Sequence, residues 1–229
     1  MRTLSYLKSR IVPSNRRPLE ILRGPFRGIR MNLTLQSQSQ FFLGLFEKET
    51  HSWLRSLTRN VQTAVDAGAA YGEHTLYFLL RTQAKTVLAF EPDKDLHAAI
   101  HQNLDLNPPI ATHRLELSGS FLGSTAAQNI ESLDALLTRI TFPCFIKVDV
   151  DGGEEEILRG ATLLNRKSGV RWLIETHSLD LELACERRLK EAGFKTVIIP
   201  NAWWRKIIPE QRPGNHNRWL AAWNDSAVN

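Results

Sequence analysis

From residue 60 onward, short apolar segments alternate with segments of helical periodicity, and this alternation restricts the fold more than any other feature of the sequence. Nearly continuous apolar strands separated by helices are typical of a mostly parallel sheet with helices on both faces. We therefore predict an α/β fold of that kind. The predicted strands cover residues 63–65, 86–90, 112–117, 145–150, 172–174, 195–199 and 218–222, and the predicted helices cover 73–81, 93–107, 132–139, 154–164 and 180–192.

The first 60 residues differ from the rest of the chain in charge. They contain 11 Lys and Arg against 3 Asp and Glu, whereas residues 61–229 contain 18 and 21. We interpret residues 1–60 as a basic helical and stranded extension or cap, and 61–229 as the main domain of one compact unit. A basic segment can favour an anionic partner. Because the arginines are scattered and no nucleic-acid-binding motif accompanies them, a solvated surface is the favoured interpretation.

The composition excludes several classes of protein. The chain has 229 residues, of which 42% are hydrophobic and 23% charged, so it is not generally disordered. Two cysteines, Cys144 and Cys185, are too few for a disulfide scaffold or a Cys-rich zinc site. No apolar run approaches the roughly 18–20 residues that span a bilayer, and the N-terminus lacks the apolar stretch of a secretory signal. We therefore expect a cytoplasmic protein.

A glycine-containing segment, VDAGAAYG at 65–72, joins the first predicted strand to the first predicted helix. Gly68 would allow a tight turn close to a ligand, and Gly72 would let the helix pack nearby. Glu91 ends the next strand, where a carboxylate can accept hydrogen bonds from two ribose hydroxyls, and Pro92 suits the helix turn that follows. A nucleoside-containing cofactor is therefore predicted here, although a glycine pair alone would also fit an ordinary strand–helix turn.

Asp66, just before the glycines, separates two classes of cofactor. A dinucleotide places its pyrophosphate against such a loop and would be repelled by an adjacent carboxylate. S-adenosylmethionine has a cationic amino-acid end and tolerates that carboxylate. We therefore prefer S-adenosylmethionine to NAD as the cofactor.

These segments resemble a known family. DAGAAYG at 66–72, followed by the Glu-Pro pair at the end of the next strand, is similar to motifs I and II of class I S-adenosylmethionine-dependent methyltransferases. FIKVDVDGGEEEILRGA at 145–161 is similar to a signature of the FkbM family, and 130–137 and 173–175 resemble two more of its segments. The resemblance implies a Rossmann-like, doubly wound fold. It also implies methyl transfer, usually to a hydroxyl oxygen of a sugar or natural product.

Four side chains follow strand ends on the predicted ligand side and are the candidates for the chemistry: Asp149, Asp151, Glu175 and His177. A hydroxyl is a poor nucleophile until its proton is removed, and a carboxylate or an imidazole can accept that proton. The alternative for the two aspartates is a salt-bridge cluster with Lys147, which shares their side of the strand. Carboxylates are also ligands for Mg²⁺, but no spacing here is diagnostic of a metal and we predict none.

Three further residues are predicted to contact the cofactor. Ala69 lies in the glycine loop, Ser118 follows the third strand where class I enzymes usually meet the adenine, and Glu47 precedes the core where related proteins often carry a glutamate. The alternatives are a simple turn at Ser118 and an exposed helical glutamate at Glu47. The NPP sequence at 107–109 is interpreted as a helix stop, so methylation of nucleic-acid bases is not expected.

Together these features predict a methyltransferase that uses S-adenosylmethionine and methylates a hydroxyl of a small molecule or carbohydrate, with no nucleic-acid partner and no membrane span. Two alternatives stay open. One is an NAD(P)-dependent oxidoreductase, against which Asp66 argues. The other is a noncatalytic cofactor- or glycan-binding protein on the same fold, against which the carboxylates at 149–151 argue. The sequence does not indicate an oligomeric state.

Overall fold

The computed structural model describes residues 14–125, 127–206, 216–226 and 228, and within them a central seven-stranded sheet dominates. In chain order the strands are β1 (Arg17–Glu20), β2 (Arg30–Leu33), β3 (Thr63–Ala67), β4 (Thr86–Phe90), β5 (Leu115–Ser118), β6 (Phe121–Leu122), β7 (Ile130–Glu131), β8 (Cys144–Val148), β9 (Val170–Thr176), β10 (Lys195–Ile199) and β11 (Arg218–Trp223). The α-helices are α1 (Leu35–Phe42), α2 (His51–Leu57), α3 (Glu73–Arg81), α4 (Lys94–Asp105), α5 (Glu154–Arg159) and α6 (Leu179–Glu191).

The central sheet has the strand order β10-β11-β9-β8-β3-β4-β5. Its strands β5, β4, β3, β8 and β9 pair in parallel, whereas β11 is antiparallel to both of its neighbours. The chain builds outward from β3 to β5 and then returns to β8 on the other side of β3, so the strand order reverses between β3 and β8. This doubly wound, mostly parallel arrangement confirms the predicted Rossmann-like fold. In such sheets ligands bind beyond the carboxyl ends of the strands at the reversal point.

Successive residues of the central strands supply two hydrophobic clusters, one on each face of the sheet. Ala64 and Phe145 pack on the face that α2, α3 and α4 cover. Val65 and Ile146, the next residues along the same strands, pack on the face that α5 and α6 cover. The period-two alternation of side chains thus buries each inner strand on both sides, which explains its nearly continuous apolar sequence.

The strand β2, within the first 60 residues, is held against the rest of the structure by α4. The Asn103 side chain accepts a hydrogen bond from the backbone N–H of Asn32 at 2.8 Å. The Asn107 side chain accepts from the N–H of Arg30 at 2.8 Å and donates to its carbonyl at 2.7 Å, as a neighbouring strand would. These bonds satisfy backbone groups of β2, and Met31 and Leu33 on the same strand pack into the hydrophobic cluster that α3 and α4 share. Asn107 therefore has a structural partner, and α4 ends before it at Asp105.

The helix predicted at 132–139 was wrong. Among the described residues of that segment, only one short 3₁₀ turn forms, Leu137–Arg139. The Asp134 carboxylate instead accepts hydrogen bonds from the backbone N–H groups of Leu163 at 2.9 Å and Leu164 at 2.8 Å. The backbone of the segment itself makes turn-type bonds, from Ala135 N to Ser132 O and from Leu136 N to Leu133 O. Through Asp134 the segment is tied to the chain after α5.

Most of the remaining elements differ from the prediction by one or two residues at an end, and the strand predicted at 112–117 begins only at Leu115, after a 3₁₀ turn at Thr112–Arg114. Helix 73–81 and strands 86–90 and 195–199 form as predicted. The helix predicted at 154–164 ends earlier, at Arg159, and a 3₁₀ turn follows at Leu164–Arg166. In the part of the chain that the structure describes, no helix is long and apolar enough to cross a membrane.

Candidate active site

A cleft of about 740 Å³ opens at the carboxyl ends of β3, β4 and β8, where the strand order reverses. One wall is the loop after β3, another is the end of β4, and a third is the segment that follows β8. The short β6–β7 ladder lies at the remaining side. The described lining residues are Ala67, Gly68, Ala70, Phe90, Glu91, Pro92, Asp93, Ser120, Phe121, Leu122, Asp149, Val150, Asp151 and Gly153.

All the charged side chains in the described lining are acidic. Four of the described lining residues carry carboxylates, namely Glu91, Asp93, Asp149 and Asp151, and none of them is Lys, Arg or His. Such a wall would repel a pyrophosphate and attract a cationic ligand. The apolar remainder, with the Phe121 ring 58% exposed at the cleft, provides a surface on which a purine can stack.

The glycine loop approaches the neighbouring strand very closely. Gly68 has a φ of +77°, and a Cβ atom built on it would lie 1.9 Å from the carbonyl oxygen of Asp149. Gly72 has a φ of +85° at the start of α3, and its Cβ would lie 3.3 Å from the Ile100 side chain. Gly68 is therefore required by the approach of β8, in addition to any approach of a ligand.

Glu91 fastens this loop to the end of β4. Its side chain is buried, and its two carboxylate oxygens accept hydrogen bonds from the N–H of Ala70 at 2.8 Å and of Asp93 at 3.0 Å. The N–H of Ala69 also bonds to Phe90 O at 3.0 Å. Each carboxylate oxygen can accept a second hydrogen bond, so Glu91 can hold the loop and ribose hydroxyls together. Pro92 lines the cleft directly after it.

Asp66 lies behind the loop rather than in the described cleft wall. It is fully buried, and it accepts a hydrogen bond from Thr75 Oγ1 at 2.7 Å. Its other oxygen is 3.4 Å from the ammonium of Lys147, which also donates to Gly68 O at 2.7 Å and lies 3.6 Å from Asp149 Oδ2. The buried Lys147 thus links β3, the glycine loop and the end of β8.

The charges around Lys147 keep it protonated. Burial alone would lower the pKa of Lys147, but the carboxylates of Asp149, Asp66, Glu47 and Glu73 outweigh it and raise the pKa. Burial has the opposite effect on Asp66 and raises its pKa, and the interactions with Lys147 and Thr75 oppose that rise. Glu47, predicted to help close the cofactor site, is buried within the electrostatic reach of this ammonium.

Ser118 lies beside the cleft, and its side chain makes hydrogen bonds to other residues of the protein. Its hydroxyl donates to Glu131 Oε1 at 2.9 Å and accepts from the N–H of Ser120 at 3.2 Å. Its carbonyl accepts from the N–H of Glu91 at 3.0 Å. Ser118 therefore shapes the turn that brings Ser120 and Phe121 to the cleft wall.

The four residues predicted for the chemistry lie close together, and two of them, Asp149 and Asp151, line the cleft. Asp149, Glu175 and His177 each place one ligand-type atom within 4.8 Å of the others. His177 Nε2 is 3.6 Å from Asp151 Oδ1, and the Asp151 side chain is 89% exposed. Glu175 is buried on β9 and accepts a hydrogen bond from Asn217 at 3.3 Å. The structure thus brings Asp151 and His177 together, although 26 positions separate them in the sequence.

Part of this group has the chemistry of a cation site. Two carboxylates and an imidazole are suitable ligands for a divalent ion. The ammonium of Lys147, 3.6 Å from Asp149, already supplies a positive charge to one of those carboxylates. The arrangement therefore balances part of its charge with the protein's own cation.

Sequence reasoning missed several residues of the site. Ser120, Phe121 and Leu122 line the cleft. An apolar pair directly after the Ser-Gly-Ser turn of the third strand was the signal that could have found them. Glu154 was also missed as a site residue. It is fully buried and bonds to His177 Nδ1, a contact that sequence spacing does not indicate.

Comparison with known proteins identifies the fold. The crystal structure of methyltransferase FkbM from Methylobacillus flagellatus KT matches with a TM-score of 0.57 and 18% identity, over 71% of this chain and 44% of that one. Precorrin 8w decarboxylase from Methanobacterium thermoautotrophicum matches with 0.52 and 16% over 79% and 90%, and the METTL16 methyltransferase domain with 0.51 and 15% over 85% and 70%. The fold is that of the class I methyltransferases.

Enzymes of that class use S-adenosylmethionine as the methyl donor. The chain spans less than half the length of the FkbM methyltransferase structure. No protein-family model matches the sequence, and no curated protein matches it either. Membership of the FkbM family therefore stays a prediction.

Replacing Glu91 with alanine is expected to weaken binding of S-adenosylhomocysteine, the demethylated cofactor, roughly 10- to 100-fold, because a charged hydrogen-bond acceptor is lost. Calorimetric titration measures this effect. Since Glu91 also holds the loop, the 2′-deoxy analogue of the ligand serves as the control. If Glu91 contacts the ribose, the preference for the natural ligand over the analogue falls in Glu91→Ala. An undiminished preference would remove Glu91 from the ribose site.

Proposed function

We propose that this protein is an S-adenosylmethionine-dependent methyltransferase that methylates a hydroxyl of a sugar, glycan or small natural product. The observation that carries the proposal is that every charged residue in the described lining of the cleft, at the reversal point of the sheet, is acidic. A dinucleotide brings a pyrophosphate to this position, whereas the sulfonium and ammonium groups of S-adenosylmethionine are cations. The cytoplasmic location and the division at residue 60 remain predictions.

The residues of the cleft fit the parts of that cofactor. Glu91 has acceptor capacity for the ribose hydroxyls, and Phe121 and Leu122 offer apolar surface for the adenine. Asp149 follows β8, which lies on the other side of β3 from the strand that ends at Glu91. Its carboxylate offers negative charge for the cationic end of the cofactor. When bound, the cofactor supplies an electrophilic methyl group on sulfur. The protein's task is then to hold a nucleophile in line with that group, which can account for much of the rate enhancement.

The acceptor's hydroxyl is placed by the carboxylate and imidazole groups at the end of the cleft. Asp149 lies in the cleft wall and close to His177, whose Nε2 is 3.9 Å from Asp149 Oδ1. A hydroxyl that donates to this group is oriented and made more nucleophilic as its proton is withdrawn. Asp151 and Glu175 add negative charge, which favours transfer of the proton to the imidazole.

The test is release of S-adenosylhomocysteine from S-adenosylmethionine in the presence of a panel of sugars, glycosides and phenolic natural products. Asp149→Asn keeps the shape of the side chain and removes its charge. We expect this variant still to bind S-adenosylhomocysteine, though more weakly because the ammonium end loses a carboxylate, and to turn over at least ~10²-fold more slowly when saturated with cofactor. Glu156→Gln, an exposed change on α5, is the control and should keep full turnover. Full activity of Asp149→Asn, or transfer to amines alone, would contradict the proposal.

A further inference from the structure

Glu154 is a carboxylate in an unusual position for an acidic residue. It begins α5, its side chain is 0% exposed, and its Oε1 contacts Nδ1 of His177. Its Oε2 has no hydrogen-bond partner among the described residues. A buried carboxylate is costly unless a cation or a donor compensates it. In the described structure His177 is its hydrogen-bonded partner.

The two ring nitrogens of His177 face different surroundings. Nδ1 contacts the buried Glu154, whereas Nε2 lies 3.6 Å from Asp151 Oδ1 and 3.9 Å from Asp149 Oδ1. Asp149 and Asp151 line the cleft, whereas neither Glu154 nor His177 itself belongs to its described wall, so His177 reaches the cleft through these two carboxylates. An acceptor carboxylate at Nδ1 selects the tautomer with the proton on Nδ1. The lone pair of Nε2 then faces the cleft side.

We propose that Glu154 is a positioning residue that holds His177 with its Nδ1–H toward α5, so that Nε2 takes the proton of the acceptor's hydroxyl. The inference rests on the proposed function and assigns the proton acceptor within it. As the new O–CH₃ bond forms, the S–CH₃ bond breaks and its electron pair stays on sulfur as a neutral thioether. The hydroxyl proton moves to His177 Nε2, and the imidazolium later returns it to solvent.

The groups around His177 set the direction of its pH dependence. The hydrogen bond that His177 donates to Glu154 raises the pKa of His177, burial opposes this, and the charges of Glu154, Asp149 and Asp151 raise it further. Glu175 on β9 lies within 4.8 Å of the same site. Cys185 on α6 faces Glu154 and stays a neutral thiol, because burial raises its pKa to about 12. His177 therefore becomes an available base only as the pH rises through a value above that of a free histidine.

The test is an NMR titration of the full chain labelled with ¹⁵N-histidine, with His177→Gln to assign the signal. In the wild type we expect neutral His177 to carry its proton on Nδ1. Glu154→Gln should lower its proton affinity at least tenfold. Glu155→Gln is the matched control one residue away, where the side chain is partly exposed and pairs with Arg159, and it should leave His177 unchanged. With an acceptor from the panel, Glu154→Gln should also move the rise of turnover to lower pH and reduce its maximum.

Each result decides the assignment. A proton on Nε2 in the wild type, or equal effects of Glu154→Gln and Glu155→Gln, would overturn it, and the first needs no variant at Glu154. Magnesium chloride alone shifting the Nε2 signal would make His177 a metal ligand and overturn it as well. A tenfold effect with the expected tautomer supports it. S-adenosylhomocysteine is titrated in parallel, so that failure to bind the cofactor counts against the proposed function, separately from the Glu154–His177 contact.

Discussion

Gly68→Ala is expected to destabilise the protein by at least about 4 kcal/mol, an effect of the size that only severe core disruptions reach. The reason is that the new Cβ would lie 1.9 Å from the carbonyl oxygen of Asp149 and 3.3 Å from the Val150 side chain. The positive φ of +77° adds strain for any L side chain. Relief requires that β3 and β8 separate at the centre of the sheet. Chemical denaturation measures the loss, and binding of S-adenosylhomocysteine should disappear with it.

The matched control for this change is Gly152→Ala. Gly152 also has a positive φ, +92°, but no atom lies within 4 Å of the position its Cβ would occupy. Only the conformational strain remains, which costs roughly 1–2 kcal/mol. If Gly68→Ala were no less stable than Gly152→Ala, the close contact between the glycine loop and Asp149 would be disproved.

Lys147→Met is expected to destabilise the protein by about 3–5 kcal/mol. Methionine keeps an unbranched apolar side chain in place of the lysine stem but removes the ammonium group. The fully buried Asp66 is then left without its cation. Asp149, 3.6 Å away, loses the same partner, and the carbonyl of Gly68 loses a donor at 2.7 Å. Breaking one side of a buried ion pair is costly because the remaining charge stays desolvated.

A second substitution and a change of pH test that explanation. Asp66→Asn added to Lys147→Met removes the uncompensated charge and should recover much of the lost stability. In Lys147→Met alone, the pKa of Asp66 is raised further, so the folded state binds more protons than the unfolded one. Its stability should therefore be higher at pH 5 than at pH 8 relative to the wild type. A defect that is independent of pH and not rescued by Asp66→Asn would assign Lys147 a packing role only.

The sequence predicts best what depends on local pattern. Helix 73–81 and strand 86–90 follow from the periodicity of apolar residues, and Glu91 at a strand end follows from the strand itself. The reversal point of the sheet then brings Glu91 and the glycine loop to one cleft, as expected from the rule for parallel sheets. Local sequence patterns were therefore sufficient to predict the fold and the side of the cleft that contains Glu91.

Contacts that depend on register across strands were beyond local pattern. Asp66 and Lys147 are direct neighbours in the parallel pairing of β3 and β8, which no spacing along the chain indicates. Glu154 meets His177 only because α5 packs beside the end of β9. At 132–139 the apolar spacing favoured a helix, whereas the segment forms turns and is tied through Asp134 to the backbone of Leu163 and Leu164. In each case the partner lies far away in the sequence.

The central claim is tested most directly by isothermal titration of the full chain with S-adenosylhomocysteine, NAD⁺ and NADP⁺, each alone. The acidic cleft predicts that S-adenosylhomocysteine binds at one site and raises the melting temperature with concentration. It also predicts no binding of either dinucleotide, because the charged residues of the described lining are all acidic and none of them offsets the charge of a pyrophosphate. Binding of NAD⁺ or NADP⁺ in place of S-adenosylhomocysteine would contradict the account.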